Sequence, residues 1–292
     1  MNPVLSHVQA QQVVNARKAN RSSVAVSLDL GRTHVDLLLN ASGVELPKGL
    51  HITWPDLDTI VRNQNNCFTV ADDSTIYKIQ EFSPEFNRLY SLMPTGENMR
   101  NGACRETAPT MLISGIPMHR IKGTDPQRDT KAKIRAAGPF TGPVLDTATG
   151  LGYTAIAAAQ SAQHVTTIEL DPVVLEICRS NPWSQALFEG SQITQLIGDS
   201  FDLIAEMADN TFAQIIHDPP MFSLAGHLYS ADFYAELYRV LQPRGKLFHY
   251  IGNPESKSGR SVTVGASARL TEVGFVRIQR RRDAFGVVAY KR

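Results

Sequence analysis

The 292 residues are 42% hydrophobic and 20% charged, with a formal net charge of +1. That is ordinary globular composition with enough apolar material for a core, and the length favours two domains. No run approaches the ~18 apolar residues of a membrane span, and the first thirty residues hold no apolar stretch behind a basic start. The expected setting is therefore cytoplasmic, without a secretory signal or a membrane. The three scattered cysteines, Cys67, Cys104 and Cys178, have no metal-ligand spacing; they imply a reducing compartment and no metal site.

Residues 1–21 are polar and rich in Gln and Asn, and read as a tail or short helix. Residues 22–117 read as a small β-rich accessory domain. Short extended runs such as Val24–Leu30, Val35–Leu39, Cys67–Val70 and Tyr77–Phe82 are separated there by Gly, Asn and Pro turn signals. Asp56–Arg62 is a brief helix in this reading, and Phe68, Tyr77 and Phe82 are core residues rather than a stacking platform. Residues 118–292 change texture. Thr124-Asp125-Pro126-Gln127 has the form of a helix start, with a basic helix expected through Arg135. Apolar strands then alternate with helices: Val144-Leu145, Val165–Ile168, Ile193–Ile197 and Phe212–Ile216 each precede a helical stretch. This is the pattern of a parallel sheet covered on both faces, closed at the C-terminus by a hairpin of Phe275–Arg281 and Gly286–Tyr290.

Charge is unevenly divided along the chain. Residues 144–243 carry 12 Asp/Glu against 2 Lys/Arg, whereas residues 244–292 carry 11 Lys/Arg against 3 Asp/Glu. The basic end, with Arg277, Arg280, Arg281 and Arg282, suits either a polyanionic partner or the solvent face of an edge strand. Carboxylates stand at the C-terminal ends of four successive strands, where open α/β sheets bind ligands. Asp146-Thr147-Ala148-Thr149-Gly150-Leu151-Gly152 offers small residues beneath a ligand, although Gly150-x-Gly152-x-x-Ala155 alone also fits a dinucleotide fingerprint. Glu169, followed by Leu170, can accept ribose hydroxyls. Asp199, followed by Ser200, can accept from an adenine amine. Asp218-Pro219-Pro220-Met221-Phe222 follows the fourth strand.

These ordered motifs resemble those of class I S-adenosylmethionine-dependent methyltransferases over about residues 119–292. The resemblance implies a seven-stranded Rossmann-like sheet with an antiparallel C-terminal hairpin. It also implies that S-adenosylmethionine is held by Asp146, Ala148, Thr149, Gly150, Gly152, Glu169, Leu170, Asp199, Ser200 and Asp218. A departure is Ala148, where many members have Gly. Gly115–Pro126, Asp146–Ala155, His217–Gly226 and Phe248–Pro254 are similar to a narrower family of predicted methyltransferases best represented in archaea. That likeness implies methylation of an exocyclic base amine in RNA, such as N4 of cytidine in ribosomal RNA, and hence an RNA partner.

Such an amine is a poor nucleophile, so catalysis requires acceptors for its hydrogens and in-line placement against the sulfonium. Asp218 and the Pro219 carbonyl can accept hydrogens, the prolines stiffen the loop, and Phe222 can stack on the base. Pro220 completes the resemblance to the Asn/Asp-Pro-Pro-aromatic loop of amino-group methyltransferases, in which the aromatic normally follows immediately; here Met221 intervenes. His217, His249 and Tyr250 read as strand-end packing. The competing readings are methylation of a protein or small molecule, a spermidine synthase-like aminopropyl transferase, and a methyltransferase-like protein that binds RNA or a partner without turnover. Aminopropyl transferases resemble methyltransferases in architecture but usually carry a Gly-Gly-Gly-Asp-Gly loop, which Asp146–Gly152 is not. A dehydrogenase is disfavoured because Asp199 and Asp218-Pro219-Pro220 have no place in a simple dinucleotide site.

Overall fold

The computed structural model describes residues 1–98, 104–253 and 255–292; Pro254, the last residue of the Phe248–Pro254 motif, lies outside them. Two compact units are present, Met1–Gln127 with Val173–Gln185, and Arg128–Pro172 with Ala186–Arg292.

The first unit is built on three small antiparallel sheets of three, four and four strands. Its N-terminal residues are part of that core. Val4–Leu5 pairs with Phe68–Val70, and the helix His7–Lys18 starts at a capping box in which Ser6 and Gln9 satisfy each other's backbone N–H groups. Ala10 and Val13 from this helix, Leu57 and Ile60 from the helix Trp54–Arg62, and Phe68 are buried together. Tyr77 and Phe82, expected in the core, are instead 53% and 54% exposed. Each lies on a short strand that is mostly exposed, Tyr77 next to exposed Lys78 and Phe82 next to exposed Gln80 and Glu81. Trp183 from the later segment donates its indole N–H to Leu30 O at 3.0 Å, within the same unit.

The second unit is a mixed α/β fold around a mainly parallel sheet. Its strands are β1 (Pro143–Asp146), β2 (His164–Glu169), β3 (Ile193–Ile197), β4 (Phe212–His217), β5 (Leu241–Tyr250), β6 (Val276–Arg281) and β7 (Gly286–Tyr290), in the order β3-β2-β1-β4-β5-β7-β6. The first five strands are parallel, and β7 runs antiparallel to both of its neighbours, so that β6 at the edge points the same way as the first five. The labelled helices are α1 (Pro126–Ala137), α2 (Tyr153–Ala159), α3 (Ser200–Ala205), α4 (Ala231–Val240) and α5 (Lys257–Val273). Helix α4 shows why the pattern folds this way. Ser230 caps its first turn, and Phe233, Tyr234, Leu237 and Val240 recur at helical spacing on the buried face. They pack with Leu145, Ile215 and Leu247 of the sheet and Leu270 of α5. β6 is an edge strand, and Arg277 lies with its guanidinium 4.8 Å from the Tyr290 ring centroid. The basic residues there accord with the edge-strand reading.

The strand order reverses direction between β1 and β4, so the loops that leave these two strands diverge and open a crevice at their C-terminal ends. Gly152, which precedes α2, has φ +75°, and a Cβ there would lie 2.2 Å from Leu187 Cδ1. Both facts require glycine. Among the described residues, no helix is long and apolar enough to cross a membrane and no His/Cys/Asp/Glu group has metal-binding geometry.

Candidate active site

The β1 loop is held from beneath by its own buried polar residues. Asp146 is fully buried and accepts a hydrogen bond from Thr154 Oγ1 at 2.9 Å. Burial pushes its carboxyl up to about 7; Thr154 opposes this, and the nearby negative charge of Asp218 adds to it. Thr149 is likewise buried, with its hydroxyl 2.7 Å from that of Thr167 and its N–H donated to Ile168 O. Asp146 and Thr149 therefore shape the loop, and Ala148 and Gly150 form its less buried part.

Glu169 at the end of β2 joins the same loop. Its Oε2 accepts the Gly150 N–H at 2.9 Å and its Oε1 the Asp171 N–H at 3.2 Å. Burial raises this carboxyl to about 7 against those hydrogen bonds. Each carboxylate oxygen can accept a second donor, so a pair of ribose hydroxyls remains within its capacity. Leu170 beside it is 40% exposed, an apolar surface at the strand end. Asp199 caps α3 by accepting the Phe201 N–H at 2.8 Å, and its other oxygen lies 3.2 Å from His227 Nε2. Ser200 is buried and donates to the Thr147 carbonyl at 2.5 Å. The loops after β1 and β3 are thereby tied together.

The β4 loop meets a residue that sequence reasoning missed. Lys133 of α1 places Nζ 2.6 Å from Asp218 Oδ2 and 2.9 Å from Asp129 Oδ2. The ammonium also lies 4.4 Å from the centroid of the Tyr250 ring, near enough for a cation–π contact. The Lys133 side chain is 6% exposed and that of Asp218 18%. Burial opposes the lysine's charge, but the Asp218 and Asp129 carboxylates outweigh it and raise its pKa above the ordinary range. The residues after Asp218 run from a buried Pro219 to an exposed Pro220, whose carbonyl accepts the Tyr229 hydroxyl at 3.1 Å. Phe222 is half exposed and stands edge-on to Tyr229, with ring centroids 5.4 Å apart. Met221 and Leu224 are also exposed, so the loop presents an apolar lip.

Behind this lip, His217 and His249 are fully buried. His217 Nε2 donates to Leu228 O at 2.9 Å, so the neutral ring accepts at Nδ1 from Thr147 Oγ1, 2.7 Å away. His249 Nε2 lies 2.8 Å from the Tyr234 hydroxyl. Burial lowers the pKa of His217 to about 3 and that of His249 well below its usual value. Both are neutral, and neither is exposed to a substrate. The only sequence sign of the Lys133 pair was the i, i+4 spacing of Asp129 and Lys133, which more often marks a surface ion pair.

Asp146, Glu169, Asp199 and Asp218 thus stand at four successive strand ends of a mixed α/β sheet. The model of the spermine/spermidine synthase domain matches residues 146–271, from Asp146 into α5. Across its whole length, this chain is 38% identical to the uncharacterized protein MJ1233 of Methanocaldococcus jannaschii, covering 96% of that protein, and it belongs to the same family. It is 29% identical over 99 residues to the polyamine aminopropyltransferase of Sulfolobus acidocaldarius, spanning about a third (33%) of that enzyme and 32% of itself. The fold is similar to that of spermidine synthase from Thermotoga maritima, with a TM-score of 0.55, 17% identity and 75% of each chain covered. These findings favour the aminopropyl transferase alternative over methyl transfer, and none of them supports an RNA base as acceptor.

Proposed function

We propose that this chain transfers an aminopropyl group from decarboxylated S-adenosylmethionine to an amine. The observation that carries the reading is the Asp218 carboxylate at the end of β4, inside the region matched to the spermine/spermidine synthase domain. The donor supplies an electrophilic carbon bonded to a sulfonium. The amine lone pair forms the new C–N bond, the C–S pair returns to sulfur as a neutral thioether, and the nitrogen then loses a proton.

The chain's own residues do the rest. Glu169 is placed to accept donor hydroxyls while bracing the Gly150 backbone, and Leu170 offers an apolar face. Asp218 accepts a hydrogen of the incoming amine and orients its lone pair, and the Phe222 and Met221 lip covers the site. The donor is a cation and a diamine acceptor keeps positive charge on the nitrogen that does not react, and the segment 144–243, which supplies these strand ends, carries twelve acidic and two basic residues. An anionic crevice attracts and holds such reactants.

A second reading, methyl transfer from S-adenosylmethionine, draws on the Asp218-Pro219-Pro220 loop. An RNA base amine as its acceptor rests on the sequence resemblance alone. Calorimetry with decarboxylated S-adenosylmethionine, S-adenosylmethionine and NAD separates the readings. Preferential binding of the decarboxylated donor is expected; preference for S-adenosylmethionine would install the second reading, and binding of NAD alone would overturn both.

A further inference from the structure

The geometry points to Lys133 as a positioning residue that keeps the Asp218 carboxylate charged and aimed, so that Asp218 works as a fixed anionic acceptor for the attacking amine. The proposal rests on Asp218 being the acceptor group of the reaction described above. A buried ammonium is costly unless paired, and Lys133 is held from three sides. It has Asp129 on its own helix, Asp218 after β4 and the Tyr250 ring at the end of β5. Asp129 lies one turn away on α1 and anchors the lysine beside Asp218.

The other titratable groups around this pair are Asp146 from β1, which feels the charges of both Asp218 and Lys133, and Tyr229 after β4, which feels Asp218. Asp146 and Asp129 are acidic, so without Lys133 three carboxylates would crowd a nearly dry site. Like charges so placed favour protonation of one of them. A protonated Asp218 would offer the amine a donor where an acceptor is needed. The ammonium 2.6 Å away favours the ionised form and fixes one carboxylate oxygen, which sets the direction of the rest of the group. A carboxylate stabilised in this way is a weak base. It orients the amine and stabilises the developing positive charge, and the proton passes on to water.

The test is a set of neutral replacements, Lys133→Met and Lys133→Gln, with Lys133→Arg retaining the charge. The second neutral variant preserves hydrogen-bonding capacity in case the first does not fold. Two quantities are read on the full chain: the pH–rate profile with decarboxylated S-adenosylmethionine and a diamine, and the ¹³C titration of the Asp218 carboxyl without substrate. In the neutral variants the acid limb and the carboxyl midpoint are expected to move up together by about 2 pH units, with donor KM little changed. Lys133→Arg should restore both. Unchanged midpoints in the neutral variants would overturn the proposal. Absence of turnover in the wild type would refute the reaction, whereas the carboxyl titration would still decide the role of Lys133.

Discussion

Thr147 Oγ1 lies 2.7 Å from His217 Nδ1, joining the loop after β1 to the end of β4 inside the sheet. The Thr147 carbonyl also receives the Ser200 hydroxyl, and His217 donates onward to Leu228 O. One residue pair thus fixes three strand-end loops relative to one another without touching solvent. A site split between donor-facing and acceptor-facing loops needs such a brace, because misplacement of reacting groups by about 1 Å can cost 10²-fold in rate.

His217 gives the molecule an acid-labile element. Its folded pKa of about 3 lies below the ordinary 6.5, so between those values the unfolded chain binds the extra proton and stability falls as pH drops. Replacement by Asn, which keeps hydrogen-bonding groups but does not titrate there, should flatten the decline. Urea midpoints at pH 7 and pH 5 are the measurement, and an equal decline in wild type and variant would refute the assignment.

Asp218→Asn should lower turnover by about 10²–10⁴-fold while donor affinity changes less than about twofold. The amide keeps the shape but removes the charge that Lys133 holds at 2.6 Å. Single-turnover kinetics together with donor titration separate the two effects. A normal rate in the variant would remove Asp218 from the acceptor role.

Glu169→Ala should weaken donor binding by about 1–3 kcal/mol, the range for lost hydrogen bonds to a charged group. Part of that loss comes through the loop, since Gly150 N–H loses its acceptor. Glu169→Gln keeps one acceptor oxygen and should recover part of the affinity. Unchanged calorimetric affinity in the alanine variant would move the donor site elsewhere.

Gly152→Ala should destabilise the second unit by about 1–3 kcal/mol, because φ is +75° and the added Cβ would meet Leu187 at 2.2 Å. Thermal unfolding would show a lowered midpoint. An unchanged midpoint would mean that the loop and Leu187 give way freely.

The strand–helix alternation and the strand-end carboxylates were legible in the sequence because both are local patterns. A period of two gives way to 3.6, and an acidic or glycine residue punctuates each strand end. Lys133 was not legible, because its partner Asp218 lies 85 residues away and only the folded sheet brings them together. Tyr77 and Phe82 were misread for the complementary reason: aromatic content announces a strand but not whether it is covered. Val173–Gln185 reads as the next step of the α/β alternation yet groups with the N-terminal unit, a choice made by contacts such as Trp183 with Leu30. The reaction itself was the least legible part. Methyl and aminopropyl donors share the same adenosyl portion, so the motifs that hold that portion do not distinguish the group transferred.

The identity of the nucleoside product separates aminopropyl transfer from methyl transfer. The purified chain is incubated with either decarboxylated S-adenosylmethionine or S-adenosylmethionine and a mixture of diamines, and the adenosyl product is identified by mass. Methylthioadenosine is expected from the decarboxylated donor, dependent on the amine and lost in Asp218→Asn. S-adenosylhomocysteine from the intact donor, with no methylthioadenosine from the other, would contradict aminopropyl transfer.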